Sequence, residues 1–113
     1  MDCIFCGIAH GDVPAKLVYE SERVVGFQDL NPQAPTHVLL IPRNHYASIQ
    51  DVPAQDLGIV AELAAAAQEL ARARGIWPHG YRLVVNAGPD GGQTVGHLHV
   101  HLLAGRQMVW PPG

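Results

Sequence analysis

The sequence predicts an α+β domain: a five-stranded antiparallel sheet carrying one long helix. Three observations predict it. Five short segments have the length and the branched or aromatic content of strands. One long segment, Pro53 to Arg74, repeats its apolar residues at helical spacing. The strands come in sequence and the helix interrupts them once, which is the pattern of α+β rather than of repeated crossover units. At 113 residues the chain reads as one domain, 1–113, long enough to bury a core without staples.

Taken in order, Cys3-x-x-Cys6 is followed by Gly7, and residues 4–9 are long enough for a short helical turn. Lys16 to Glu20 reads as the first strand, and Ser21-Glu22 turns it into a second, Arg23 to Asp29. Asn31-Pro32-Gln33-Ala34-Pro35 is an extended loop, because two prolines remove donors and fix φ. His37 to Pro42 is a third strand, apolar enough to be buried on both faces. Asp51 is placed to cap the helix, with Pro53 in its first turn. Leu57, Val60, Ala61, Ala64, Ala67 and Ala71 form its main apolar row, widened by Ile59, Leu63, Ala66 and Leu70. Gly75 ends it. Tyr81 to Val85 is the fourth strand, and a glycine-rich loop leads to the fifth.

Apolar residues make up 48% and charged residues 15%, so the chain is globular rather than disordered. A net charge of −3, without a basic stripe, excludes nucleic acid as an expected partner. Met1-Asp2-Cys3-Ile4-Phe5-Cys6 has no basic n-region, and no apolar stretch is long enough for a membrane helix. The expectation is a cytoplasmic chain whose two cysteines are reduced.

The fifth segment carries the chemistry. In His97-Leu98-His99-Val100-His101-Leu102-Leu103 a period of two puts the histidines on one strand face and Leu98, Val100 and Leu102 on the other. An ordinary half-buried strand puts Thr, Lys or Glu on its wet face, so incidental histidines are the weaker reading. Two functional readings remain: a catalytic metal held by His97 and His99, or a phosphate site with a histidine nucleophile. A neutral imidazole can attack phosphorus and split one hard hydrolysis into two steps. His99, flanked on both sides, is the natural nucleophile, and His101 can donate to a phosphate oxygen. Gly91-Gly92 beside Gln93-Thr94 supplies exposed N–H groups suited to a phosphate, a weak signal alone. Asp29 ends a strand, where a carboxylate can accept both ribose hydroxyls.

These residues resemble the histidine triad (HIT) family, in its nucleotide-binding branch. The resemblance runs through Asp29-Leu30-Asn31-Pro32-Gln33-Ala34-Pro35-Thr36-His37, Ile41-Pro42-Arg43-Asn44-His45, Val84-Val85-Asn86, Gly91-Gly92-Gln93-Thr94, the triad, Gly105-Arg106-Gln107-Met108 and Trp110-Pro111-Pro112-Gly113. It implies a HIT-like fold whose sheets join across a homodimer through the helix and the fourth strand. It implies a purine nucleoside phosphoramidase with His99 forming the nucleotidyl intermediate and His97, His101 and Thr94 assisting. Asp29, Leu30, Asn86, Gly92, Gln93 and Thr94 would hold the nucleotide, with Leu30 against the base. Trp110 would reach the partner's leaving-group pocket. The alternative is a non-catalytic nucleotide-binding scaffold.

Cys3-x-x-Cys6 is half of a zinc site. With no second cysteine pair, histidines must complete it. His45 and His97 are the candidates, an arrangement similar to that of bacterial-type family members, and such a site would be structural. Two buried reduced cysteines or a redox pair are the competing readings. His10, His37 and His79 are expected at the surface or in loops.

Overall fold

The computed structural model describes residues 3–113; Met1 and Asp2, part of the N-terminal stretch read above, lie outside them. The elements run α1 (Ile4–His10), β1 (Leu17–Glu20), β2 (Val24–Gln28), β3 (Thr36–Pro42), α2 (Gly58–Ala73), β4 (Tyr81–Val84) and β5 (Val100–Ala104). The sheet has strand order β1-β2-β3-β5-β4, and every neighbouring pair is antiparallel. The α+β expectation holds, with strand ends moved by about a residue except in β5.

Alternation along the strands divides the core in two. Val24, Val38, Leu40, Val100 and Leu102 face α2 and meet Ile59, Leu63, Ala66, Ala67 and Leu70. Val25, Phe27, Leu39 and Ile41 face the other way and meet Phe5, Ile8 and Ala9 of α1. Arg43 ties α1 down further, its guanidinium donating to the Ala9 carbonyl at 3.0 Å and to the Ser21 carbonyl at 3.0 Å. His99 lies on this α1 face, its ring against Phe5.

Three expectations need correction. First, the helix begins at Gly58, not Pro53. Residues Ile49–Asp51 and Ala54–Asp56 are separate 3₁₀ turns. Proline disfavours the α region for the residue before it, and Val52 is extended at φ −75°, ψ 118°. Ser48, not Asp51, makes the cap there, accepting from Gln50 N–H at 3.1 Å. The far end is as expected: Gly75 adopts φ +68°. The N–H groups of Gly75 and Ile76 then return to the Arg72 and Ala71 carbonyls at 3.2 and 2.9 Å.

Second, the sheet buries Ile59, Leu63, Ala66, Ala67, Leu70 and Ala71, whereas Leu57, Ala61 and Ala64 of the row expected to lead are exposed. The helix has more apolar surface than this sheet covers. Third, β5 starts at Val100, so His97 and His99 precede the regular strand. The reason is local. Leu98 N–H donates to the Tyr46 carbonyl at 2.7 Å and His97 N–H to the Val95 carbonyl at 2.9 Å, which bends the chain before it joins the ladder. No helix among the described residues is long and apolar enough to cross a membrane.

Candidate active site and metal centre

The three histidines are not equivalent, and their hydrogen bonds fix which nitrogen of each carries the proton. The Nδ1 of His99 lies 2.7 Å from the carbonyl oxygen of His97. A carbonyl only accepts, so Nδ1 bears hydrogen and Nε2 keeps a bare lone pair. His99 is buried, with the edge of its contact to Phe5 at 5.3 Å between centroids and 88° between planes. An imidazole held in this tautomer can act as a nucleophile through Nε2.

His101 has the opposite tautomer. His37 is buried, contrary to the expectation that it lies at the surface. It shares the inward parity of Leu39 and Ile41 on β3. Burial lowers its pKa, and Asp29 opposes this, so the ring is neutral near pH 7. Gln33 N–H donates to its Nδ1 at 3.0 Å, so the His37 proton sits on Nε2. That Nε2–H donates to His101 Nδ1 at 2.9 Å, with an Asp29 carboxylate oxygen 3.4 Å away. His101 must then carry its own proton on Nε2, free to be given to an oxygen on a bound ligand. Asp29, His37 and His101 lie close enough to hold a metal, and in this arrangement His37 Nε2 hydrogen-bonds His101 instead.

Burial, with the neighbouring His99 and His37 rings adding to it, pushes the His101 pKa down to about 4. The unfolded value is near 6.5. Between the two, the unfolded chain binds more protons, so this contribution to stability is full above about 6.5 and lost as pH falls toward about 4. In thermal melts, wild type should therefore lose more stability between about pH 7 and about pH 5 than His101→Asn. The rest of the chain is the same in both proteins, so the difference reports on position 101. Equal losses would contradict the neutral assignment.

The His97 ring turns toward the cysteine pair instead. It is fully buried. Its Nε2 donates to the Pro42 carbonyl at 2.9 Å, which leaves Nδ1 bare. That nitrogen lies 3.4 Å from Cys3 Sγ, 3.5 Å from Cys6 Sγ and 3.1 Å from His45 Nδ1, and Cys6 Sγ lies 3.2 Å from His45 Nδ1. A tetrahedral zinc at ordinary bond lengths sets sulfur–nitrogen edges of about 3.5 Å and nitrogen–nitrogen edges of about 3.3 Å. Four donors of the right chemistry thus stand at the right separations, and Cys3, Cys6, His45 and His97 fit zinc. Both cysteines are free thiols. Burial raises the pKa of Cys6, so ionising it there needs a cation beside it.

Residues 10–108 match the HIT domain. This chain belongs to the HIT family. Among its relatives, a 14 kDa zinc-binding protein of Zea mays is 45% identical over 112 residues, covering 97% of this chain and 87% of the relative. A HIT family hydrolase from Legionella pneumophila Philadelphia 1 superposes with a TM-score of 0.96 at 50% identity, over 99% of this chain and 100% of that one. A Zn-bound histidine triad family protein from Mycobacterium smegmatis superposes with a TM-score of 0.82 at 38% identity, over 94% of this chain and 76% of that one.

Within the HIT fold, Asp29 stands at the end of β2 beside His37, its other oxygen accepting from Asn31 N–H at 2.8 Å. Leu30 projects wholly into solvent, at 101% relative exposure. Asn86 follows β4, and Gly92, at φ +77°, lies in the loop after it with the exposed Thr94. Gln93 lies in the same loop. Its amide nitrogen donates to the Ala47 and Val95 carbonyls at 2.7 and 3.0 Å, and its oxygen accepts from Gly88 N–H at 3.0 Å. Both donors are used, so its side chain shapes the loop. Trp110 is 82% exposed, while Arg82 donates to the neighbouring Val109 carbonyl at 3.0 Å and holds the tail against β4. His37 and Phe5 are the two site residues that sequence reasoning missed.

Proposed function

We propose that the chain hydrolyses purine nucleoside phosphoramidates, of the AMP-NH2 or AMP-lysine kind, to AMP and an amine. The observation that carries this reading is the opposite tautomers of two adjacent rings: a bare nitrogen on His99 and an N–H on His101. His99 Nε2 attacks the α-phosphorus, the bond from phosphorus to the amine breaks, and the amine leaves with a proton drawn from solvent water, which the water of the second step gives back. Water then attacks, the phosphorus–nitrogen bond to His99 breaks, and the proton is returned. His101 donates to a phosphate oxygen throughout, and His97 aims the nucleophile through its carbonyl. Thr94, Asn86 and the Gly92 backbone fit the phosphate, Asp29 the ribose, and Leu30 the base. The hydrolase name of the Legionella neighbour agrees with this reading. Mixing the protein with AMP phosphoramidate tests it: AMP should accumulate over many turnovers. Tight AMP binding with no turnover would leave only a nucleotide-binding module.

The metal centre is zinc on this reading, as the names of the maize and mycobacterial relatives suggest. Its closed set of four protein ligands leaves no position for a reacting water. Protein purified without chelator should hold about one zinc per chain, and less than about 0.2 would count against the site. Two free thiols at ligand spacing fit a reducing, cytoplasmic compartment.

The chain is also proposed to work as a homodimer. The outer edge of β4 is unpaired within the chain, with Leu83 and Val85 exposed on that segment, and α2 leaves Leu57 exposed. Trp110 leaves the chain at the same edge, placed to line a partner's leaving-group pocket. Sedimentation at micromolar concentration should give a dimer; a stable monomer would overturn this.

A further inference from the structure

We propose that the metal centre controls the aim of the His99 ring, through His97 and α1, which belong to both sites. The inference rests on the nucleophile assignment above and gives the centre a part in catalysis that a purely structural site would not have. His97 is the first link. Its side chain offers Nδ1 to the metal cluster, while its own carbonyl receives the His99 Nδ1–H at 2.7 Å. Residues 95–99 lie outside the regular ladder, so β5 does not fix that carbonyl. Its direction depends on where the His97 ring is anchored. One anchor is the Pro42 carbonyl at 2.9 Å, and the other is the cluster of Cys3, Cys6 and His45.

Phe5 is the second link. It lies on α1 between Cys3 and Cys6 and meets both rings edge-on, His97 at 6.0 Å and His99 at 5.3 Å. α1 has seven residues, too few to be stable alone. The apolar contacts of Phe5, Ile8 and Ala9 hold it to the sheet, but such contacts have no direction. Bonds from two cysteines to one metal would set its rotation and height. A misplacement of about 1 Å at a reacting group can cost about 10²-fold in rate. When bound, zinc supplies fixed ligand directions and nothing to the reaction itself.

The test compares zinc-loaded protein with protein stripped by chelator and with Cys3→Ser. That variant weakens the metal site but keeps α1 capped, because Cys3 Sγ now accepts the Cys6 N–H at 3.4 Å and serine caps well. Zinc content is measured in each. In both metal-poor proteins kcat on AMP phosphoramidate should fall at least about tenfold, while the calorimetric Kd for AMP stays within about threefold. The His99 Nδ1–H proton, followed by NMR, should lose its protection from exchange with water. Adding zinc back to the stripped chain should restore both. Leu63→Val, a substitution in the α2 core, should lower the melting temperature without changing kcat or that proton signal. Unchanged kcat and an unchanged His99 signal without zinc would overturn the proposal, and so would an equal kcat loss in Leu63→Val. If the loaded protein shows no turnover at all, the functional reading fails, whereas the proton signal still reports whether the metal aims the ring.

Discussion

His99→Ala should lower turnover of AMP phosphoramidate by at least about 10³-fold, the scale expected when a covalent nucleophile is removed. AMP binding should persist, because the ribose and phosphate contacts come from other residues. The His97 carbonyl holds the His99 proton on Nδ1, so Nε2 is a lone pair without any base having to remove a proton. No neighbouring ring can take over that role. His37 and His101 have their Nδ1 atoms tied up as acceptors and present N–H, and His97 turns its bare nitrogen toward the cysteines. Activity within tenfold of wild type would show that the nucleophile is misassigned.

His101→Ala should lower kcat by about 10²-fold, the usual loss for one preorganised donor to a developing oxyanion, with little change in KM. His37→Ala should cost less, on the order of tenfold. It removes the donor that keeps the His101 proton on Nε2, but the neutral ring can still adopt that tautomer. The double variant should be no worse than His101→Ala alone, because His37 acts only through His101. Additive losses would show that His37 touches the substrate directly.

Much of the fold was legible because local pattern and tertiary burial agree. The unbroken apolar run Val38-Leu39-Leu40-Ile41 points to a strand buried on both faces, and the helical spacing finds α2, although the buried face is the flanking row Ile59, Leu63, Ala66 and Leu70 rather than the one expected to lead. The failures lie where long-range pairs decide. Pro53 stops the helix from running back to Val52, and Ser48 caps an earlier turn that periodicity cannot separate from the helix. His97 reads as a strand residue from its spacing, yet its backbone bends because Leu98 finds the Tyr46 carbonyl, in a segment far away in sequence. The candidate site divides in the same way. The triad and the cysteine pair are local motifs. His37 looks like the first residue of a strand after a loop, and its importance comes from Gln33 N–H on one side and His101 on the other. Its parity with Leu39 was the signal that could have found it.

A covalent adenylyl group on His99 can be caught chemically. The protein is mixed with AMP phosphoramidate, quenched rapidly in alkali, digested and analysed by mass spectrometry. The peptide carrying Leu98-His99-Val100 should bear an adenylyl group on His99 within the first turnover, and the His99→Ala protein should show none. Steady production of AMP without an adduct on His99, or with the adduct on His97 or His101, would contradict the claim.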